Sequence, residues 1–170
     1  VNGHLLWKQK DFQSAEQYFL KAIELCVEND NSEWKVLLHL RLVEMLFEKN
    51  EIEKMYFHIK EALPIAEKIK DNYSLISLLS RLGDYHNIRL NDTYAMIYFK
   101  KAVAICQESG DQNKEAHLLN SIAKTHYNMF EYKYAIKTWL EAYELSGKTN
   151  NIELKKEIAN CLIQLGLKIE

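Results

Sequence analysis

Asp11-Phe-Gln-Ser-Ala-Glu-Gln-Tyr-Phe-Leu-Lys-Ala-Ile-Glu-Leu25 sets the scale for the whole chain, because its order of small and large residues returns three more times at a constant step. Ala15, Met55, Ala95 and Ala135 stand forty residues apart, and so do Ala22, Ala62, Ala102 and Ala142. Between the two series the bulky Phe19, Ile59, Phe99 and Trp139 keep the same interval. A fixed period of this length marks a repeat array, in which each unit buries its apolar face against its neighbours.

Apolar residues also recur at three- and four-residue steps, and one proline and five glycines in 170 residues leave few helix breakers. The class is therefore all-α. The periodicity predicts about nine helices, over about 1–9, 11–28, 33–49, 51–70, 73–89, 92–109, 113–129, 131–146 and 152–169. Units of about 1–30, 31–70, 71–110 and 111–150 form a single array closed by a capping helix in 151–170. Asn31 or Ser32 is placed to cap one helix, Gly110 and Gly147 to end two others, and Pro64 to bend the helix that contains it. The terminal helix puts Leu154, Ile158, Cys161, Leu162, Leu165 and Ile169 on one face and polar residues elsewhere, as a solvated end cap requires. Val1 falls inside a periodic segment, so a fragment of a longer protein is expected.

With 48% hydrophobic and 27% charged residues the chain can bury a core, and a formal net charge of −2 speaks against direct nucleic-acid contact by this segment. Cys26 and Cys106 share one repeat position and, with Cys161, read as free thiols of a reducing, cytoplasmic environment. No apolar run approaches a membrane span. There is no Gly-rich phosphate loop, no His-Glu-x-x-His and no nucleophile elbow, so neither enzymatic activity nor a cofactor is expected. His86 and His126 share a repeat position occupied elsewhere by Leu6 and Leu46, which makes them packed side chains and not metal ligands.

In each unit a helix with Leu82-Gly83, Leu42-Val43 or Ile122-Ala123 precedes a tight turn and then a helix with a small-large-small series such as Ala95, Phe99 and Ala102. This resembles the tetratricopeptide repeat family over nearly the whole chain, in the forty-residue variety found in peptide-pheromone receptors of Gram-positive bacteria (Rap-like and PlcR-like), MalT-like regulators and kinesin light chains. Three features depart from the family pattern: the unit-ending proline is absent, Met55 replaces an alanine, and Asp92 stands at a usually apolar position. The resemblance implies a right-handed superhelical α-solenoid of antiparallel helix pairs whose first helices line a concave groove. It also implies a peptide or partner protein as ligand and, by analogy, a sensor or interaction part of a larger cytosolic bacterial regulator.

Counting from the buried positions, that groove should carry Leu37, Leu40, Arg41, Glu44, Phe47 and Glu48, then Ser77, Ser80, Arg81, Asp84 and Asn87. The next helix should add His117, Asn120, Ser121, Lys124, Tyr127 and Asn128, with His4, Trp7 and Asn160 at the two ends. Arg41 and Arg81 hold one repeat position and suit a peptide carboxylate, whereas Asn120, Asn128 and Asn160 suit an extended peptide backbone. Equally, Arg41 can pair with Glu44 or Glu48, and Arg81 with Asp84, as ordinary surface ion pairs. The alternative function is a scaffold that self-associates as a homodimer with an empty groove, for which Trp34 and Trp139 are the interface candidates.

Overall fold

A computed structural model describes residues 2–29 and 31–167. Among these, nine helices and no strand are present: α1 Asn2–Lys8, α2 Phe12–Glu28, α3 Ser32–Glu48, α4 Ile52–Ile69, α5 Asn72–Ile88, α6 Asp92–Ser109, α7 Gln112–Asn128, α8 Tyr132–Lys148 and α9 Ile152–Gln164. The chain divides into two compact units, Val1–Leu82 and Gly83–Glu170, with the division inside α5. In the first unit α1 packs on α2, α2 on α3 and α3 on α4; in the second α6 packs on α7, α7 on α8 and α8 on α9.

The forty-residue period is written into the turns. Lys10, Asn50, Leu90 and Phe130 all take positive φ, between 58° and 62°, at the turn between two helices, and Lys70, Gly110 and Asn150 do so at the next kind of turn. At each, the amide of the residue after the left-handed one reaches back into the helix, as in Asn91 N–H to His86 O at 2.8 Å and Glu131 N–H to His126 O at 2.9 Å. These are left-handed helix ends, which satisfy carbonyls that would otherwise lack donors. The same step governs the starts of alternate helices: Asn31, Asp71, Asp111 and Asn151 accept the backbone N–H of Trp34, Ser74, Lys114 and Leu154 at 3.0 to 3.2 Å. Of the two proposed caps for α3, it is thus Asn31 that acts.

Two boundaries differ from the sequence reading. Gly147 does not end α8, which continues to Lys148 with Thr149 as its cap and Asn150 as the left-handed residue. The last helix stops at Gln164, with Gly166 at φ 83°; Lys168 and Ile169, assigned to it from sequence, lie outside the described residues. Pro64 sits inside α4, which runs on to Ile69.

The core follows the small-large series. Ala15, Met55, Ala95 and Ala135, like Ala62, Ala102 and Ala142, are fully buried, and Phe99 and Ile59 lie between them with no exposure. Each such large side chain contributes about 2–3 kcal/mol of burial. Gly83 exists because of Phe99: a methyl at Gly83 would land on that ring, and Gly3 is under the ring of Phe19 in the same way. Around α9 the core is closed by Leu154, Ile158 and Leu162 against Ala116, Ala123 and Trp139, leaving Glu153, Lys156 and Asn160 exposed as a cap demands. Cys106 is buried, Cys26 and Cys161 are half-buried, and all three are free. No described helix is long and apolar enough to cross a membrane.

Candidate functional site

The positions assigned to ligand binding lie on α1, α3 and the first part of α5 in the first unit and, taken separately, on the end of α5, α7 and α9 in the second. In the first unit their side chains are largely tied to one another. Arg41 donates to Glu44 at 3.0 Å, the two side chains being 35% and 26% exposed, so the surface-pair alternative describes this arginine. The Arg81 guanidinium lies 4.0 Å from the centre of the Phe47 ring, a cation–π contact between α5 and α3. Trp7 Nε1 donates to Glu48 at 2.7 Å, joining α1 to α3. Leu40, placed on the groove by counting, is fully buried, whereas Leu37, Ser77, Ser80 and Asp84 are half-buried and His4 is exposed.

In the second unit the assigned residues belong to a set of polar contacts linking residues 33 to 38 positions apart. Asn87 donates to Thr125 Oγ1 at 2.9 Å. Asn151 Nδ2 lies 2.9 Å from Asn113 Oδ1 and 3.0 Å from His117 Nε2. Lys124 Nζ and Asn120 Nδ2 both donate to Glu157 Oε1, at 2.6 and 3.1 Å. The Lys124 ammonium, then the Asn120 amide, hold the Glu157 carboxyl below the ordinary carboxylate range, against partial burial that pushes it up. Sequence reasoning missed Glu157 as a site residue, although it stands forty residues after His117 and so occupies the same lining position.

Asn120 was expected to offer its amide to solvent, but it is 5% exposed. Its Oδ1 accepts from Trp139 Nε1 at 2.8 Å, because a buried indole N–H must find an acceptor. Trp139 is accordingly a core residue, 3% exposed, and not an interface candidate, whereas Trp34 is exposed at 58%. Ser121 hydroxyl turns inward to the His117 carbonyl at 3.3 Å.

Beside this polar chain opens a cleft of about 290 Å³ between α7, α8 and α9. Lys124, Tyr127 and Asn128 line it from α7, Trp139 forms its floor, and α9 contributes Cys161 and Gln164, with Leu165 just after. Three sequence-predicted residues thus converge there, and Asn160 is exposed on the same helix as Cys161 and Gln164. Burial pushes the Cys161 thiol up, the opposite of what a nucleophilic cysteine needs. The groups present can pair with amides and rest against an apolar side chain, while the charge of Lys124 is met by Glu157.

The two repeat-related histidines pack between helices. His86 is stacked on Tyr94 and Tyr98, with ring centres 5.3 and 5.2 Å away, and burial holds its pKa down. His126 Nδ1 meets Glu131 Oε2 at 2.6 Å. Among the described residues no group of three His, Cys, Asp or Glu side chains is placed to hold a metal.

No family model matches the chain, and no curated protein does. Solved structures do. A signal transduction ATPase with numerous domains (STAND) from Pyrococcus horikoshii, described as carrying a tetratricopeptide repeat sensor, superposes with a TM-score of 0.67 at 24% identity, over 90% of this chain and 25% of that one. BtubC from P. vanneervenii gives 0.69 at 12% identity over 99% and 80%. A Rap protein complexed with competence and sporulation factor gives 0.74 at 15% identity over 95% and 51%. The chain therefore spans about a quarter of the first and half of the third. Likeness at these identities speaks for fold, and in fold this chain is a helical-repeat protein of the tetratricopeptide type.

Proposed function

We propose that the chain is a peptide- or protein-binding module whose ligand lies along the α7–α9 face, and that it serves as the sensor or interaction part of a larger cytosolic regulator. The observation that carries the reading is the cleft where Lys124, Tyr127, Asn128 and Gln164 surround the apolar floor of Trp139 and Leu165. Its volume suits one or two residues of an extended segment, with amide side chains to pair with the backbone. Two similar structures support it: one carries a tetratricopeptide repeat sensor and another was solved with a competence and sporulation factor. The module acts by binding and not by catalysis, in keeping with a Cys161 thiol held in its protonated form.

Isothermal titration with a panel of short peptides tests this, using the native chain and the Asn128→Ala and Gln164→Ala variants, whose side chains are exposed. A peptide that binds natively and at least about fivefold more weakly to either variant supports the reading, five-fold being about 1 kcal/mol. Silence from every peptide, or binding indifferent to both substitutions, refutes it.

Self-association is a second reading, favoured by the exposed aromatic run Tyr127, Phe130, Tyr132 and Tyr134 around the α7–α8 turn. Sedimentation velocity separates the two, since a dimer that dissociates on dilution belongs only to the second.

A further inference from the structure

The polar contacts of the second unit and its cleft meet at one oxygen atom. Trp139 Nε1 donates to Asn120 Oδ1 at 2.8 Å, Asn120 Nδ2 donates to Glu157 Oε1 at 3.1 Å, and Lys124 Nζ donates to that same oxygen at 2.6 Å. The cleft floor on α8 is thus tied through α7 to α9, and from α9 back to a lysine of the cleft wall. Earlier repeats carry Glu44 and Asp84 at the position of Lys124, with Arg41 and Arg81 three residues before. Here a lysine stands in place of the acid and Ser121 in place of the arginine, so the counter-charge comes from α9.

Building on the peptide-binding reading, we propose that Glu157 sets the specificity of this cleft, which takes an uncharged apolar side chain of the ligand and rejects an acidic one. Among the described residues that line it, Lys124 alone carries a charge, since burial pushes the Cys161 thiol up and keeps it protonated. An unanswered ammonium at that wall would draw a carboxylate; held by Glu157, it leaves the site without net charge. An acidic side chain entering there would shed water with no charge to compensate it, and would meet the Glu157 carboxylate as well. A leucine or phenylalanine side chain instead covers Trp139 and Leu165, and the amides of Asn128 and Gln164 remain for the ligand backbone. Glu157 does not itself line the cleft but stands one helical turn before Cys161 on α9, so it acts through Lys124 as a positioning residue.

Three capped tripeptides, acetyl-Ala-Leu-Ala-amide, acetyl-Ala-Phe-Ala-amide and acetyl-Ala-Glu-Ala-amide, test this when titrated at low salt into the isotopically labelled chain and read on the side-chain amide resonances of Asn128 and Gln164. The native chain should bind the leucine or the phenylalanine peptide at least about fivefold more tightly than the glutamate peptide. Glu157→Gln keeps an acceptor for Asn120 but removes the charge, and should raise the ratio of glutamate to leucine affinity about three- to tenfold. Lys124→Met breaks the same pair from the other side and should lower that ratio. A pair that merely held α7 to α9 would shift the three peptides alike in both variants, so opposite signs are the signature of charge selection. Native binding that favours the glutamate peptide, or a ratio that the two substitutions leave unchanged or move in one direction, overturns the proposal while the peptide-binding reading stands. Silence from all three tripeptides overturns it too, and the wider peptide panel then decides the reading beneath it.

Discussion

His39 Nδ1 lies 3.1 Å from His58 Nδ1, and the two rings, only 4% and 6% exposed, bridge α3 and α4 inside the first unit. A single proton serves that contact, so the two imidazoles are not both charged, and burial favours the neutral form of each. His39 Nε2 is buried without a partner, which favours placing the proton on His39 Nδ1 and leaving Nε2 a bare acceptor, less costly to strand than an N–H. Burial, then His58, then Lys35 holds the His39 pKa down to about 4, and burial lowers that of His58 against the pull of Glu16 and Glu61. Because the folded pKa lies below the unfolded value of 6.5, the unfolded chain takes up protons first as pH falls. Stability from this pair is therefore complete above pH 6.5 and declines toward pH 4, by on the order of 3 kcal/mol for His39. Urea midpoints at pH 7.5 and 4.5 should differ more for the native chain than for the His39→Leu/His58→Leu variant. Equal differences in the two proteins would show that other groups carry the acid sensitivity.

Trp139 and Asn120 form a matched exception to the repeat. Their counterparts in the repeat of about 31–70 are Leu40 and Ile59, both fully buried and both apolar. The repeat of about 111–150 has an indole in the large slot and, nineteen residues earlier, an amide whose Oδ1 accepts its N–H at 2.8 Å. Asn120→Leu should cost about 2–3 kcal/mol by stranding that donor, and should cost at least 1 kcal/mol less in a Trp139→Phe background, where no N–H remains. Denaturant unfolding of the four proteins of this cycle measures the coupling. Strict additivity would mean that the bond contributes nothing beyond packing.

That pair also marks where sequence reading reached its limit. The period located eight of the helices to within two residues at each end and the start of the ninth, because helix ends, caps and the alternation of alanine with Phe19, Ile59, Phe99 and Trp139 all obey the same step. It placed Lys124, Tyr127 and Asn128 on one face, and the structure gathers them in one cleft. It could not tell a polar side chain facing water from one turned into the core. Counting from the buried positions puts Asn120 on the groove, whereas the tryptophan opposite it is the signal that it is buried. His39 and His58 escaped notice because each sits among apolar neighbours that already satisfied the helical pattern, and their contact depends on which way two rings turn. Arg41 settled on Glu44, three residues away, a choice that spacing leaves open.

Gly83 makes a test of close packing. Alanine is the better helix former by about 1 kcal/mol, so propensity alone predicts that Gly83→Ala stabilises α5. The added methyl would fall on the ring of Phe99, which has no exposed surface through which to retreat. Overpacking typically costs about 1–3 kcal/mol, enough to reverse the sign. A lower melting temperature for Gly83→Ala, largely recovered in Gly83→Ala/Phe99→Leu, is expected. A more stable single variant would show that α5 can shift to make room.

Leu90 and Phe130 are left-handed, at φ 58° and 61°, and their side chains are 86% and 78% exposed. A bulky residue there bears a steric cost of about 1 kcal/mol that glycine escapes, and almost nothing is buried in return. Gly110 shows that the chain accepts glycine at the corresponding turn between pairs, with φ 73° and open space around it. Leu90→Gly and Phe130→Gly should therefore leave stability unchanged or raise it by up to about 1 kcal/mol each, read as urea midpoints on dilute monomer. If the aromatic surface around the α7–α8 turn joins two copies, Phe130→Gly should in addition abolish the dimer in sedimentation velocity while Leu90→Gly, at the other turn, leaves it intact. Loss of stability in both variants would instead mean that these side chains are held against the fold and are not spare surface.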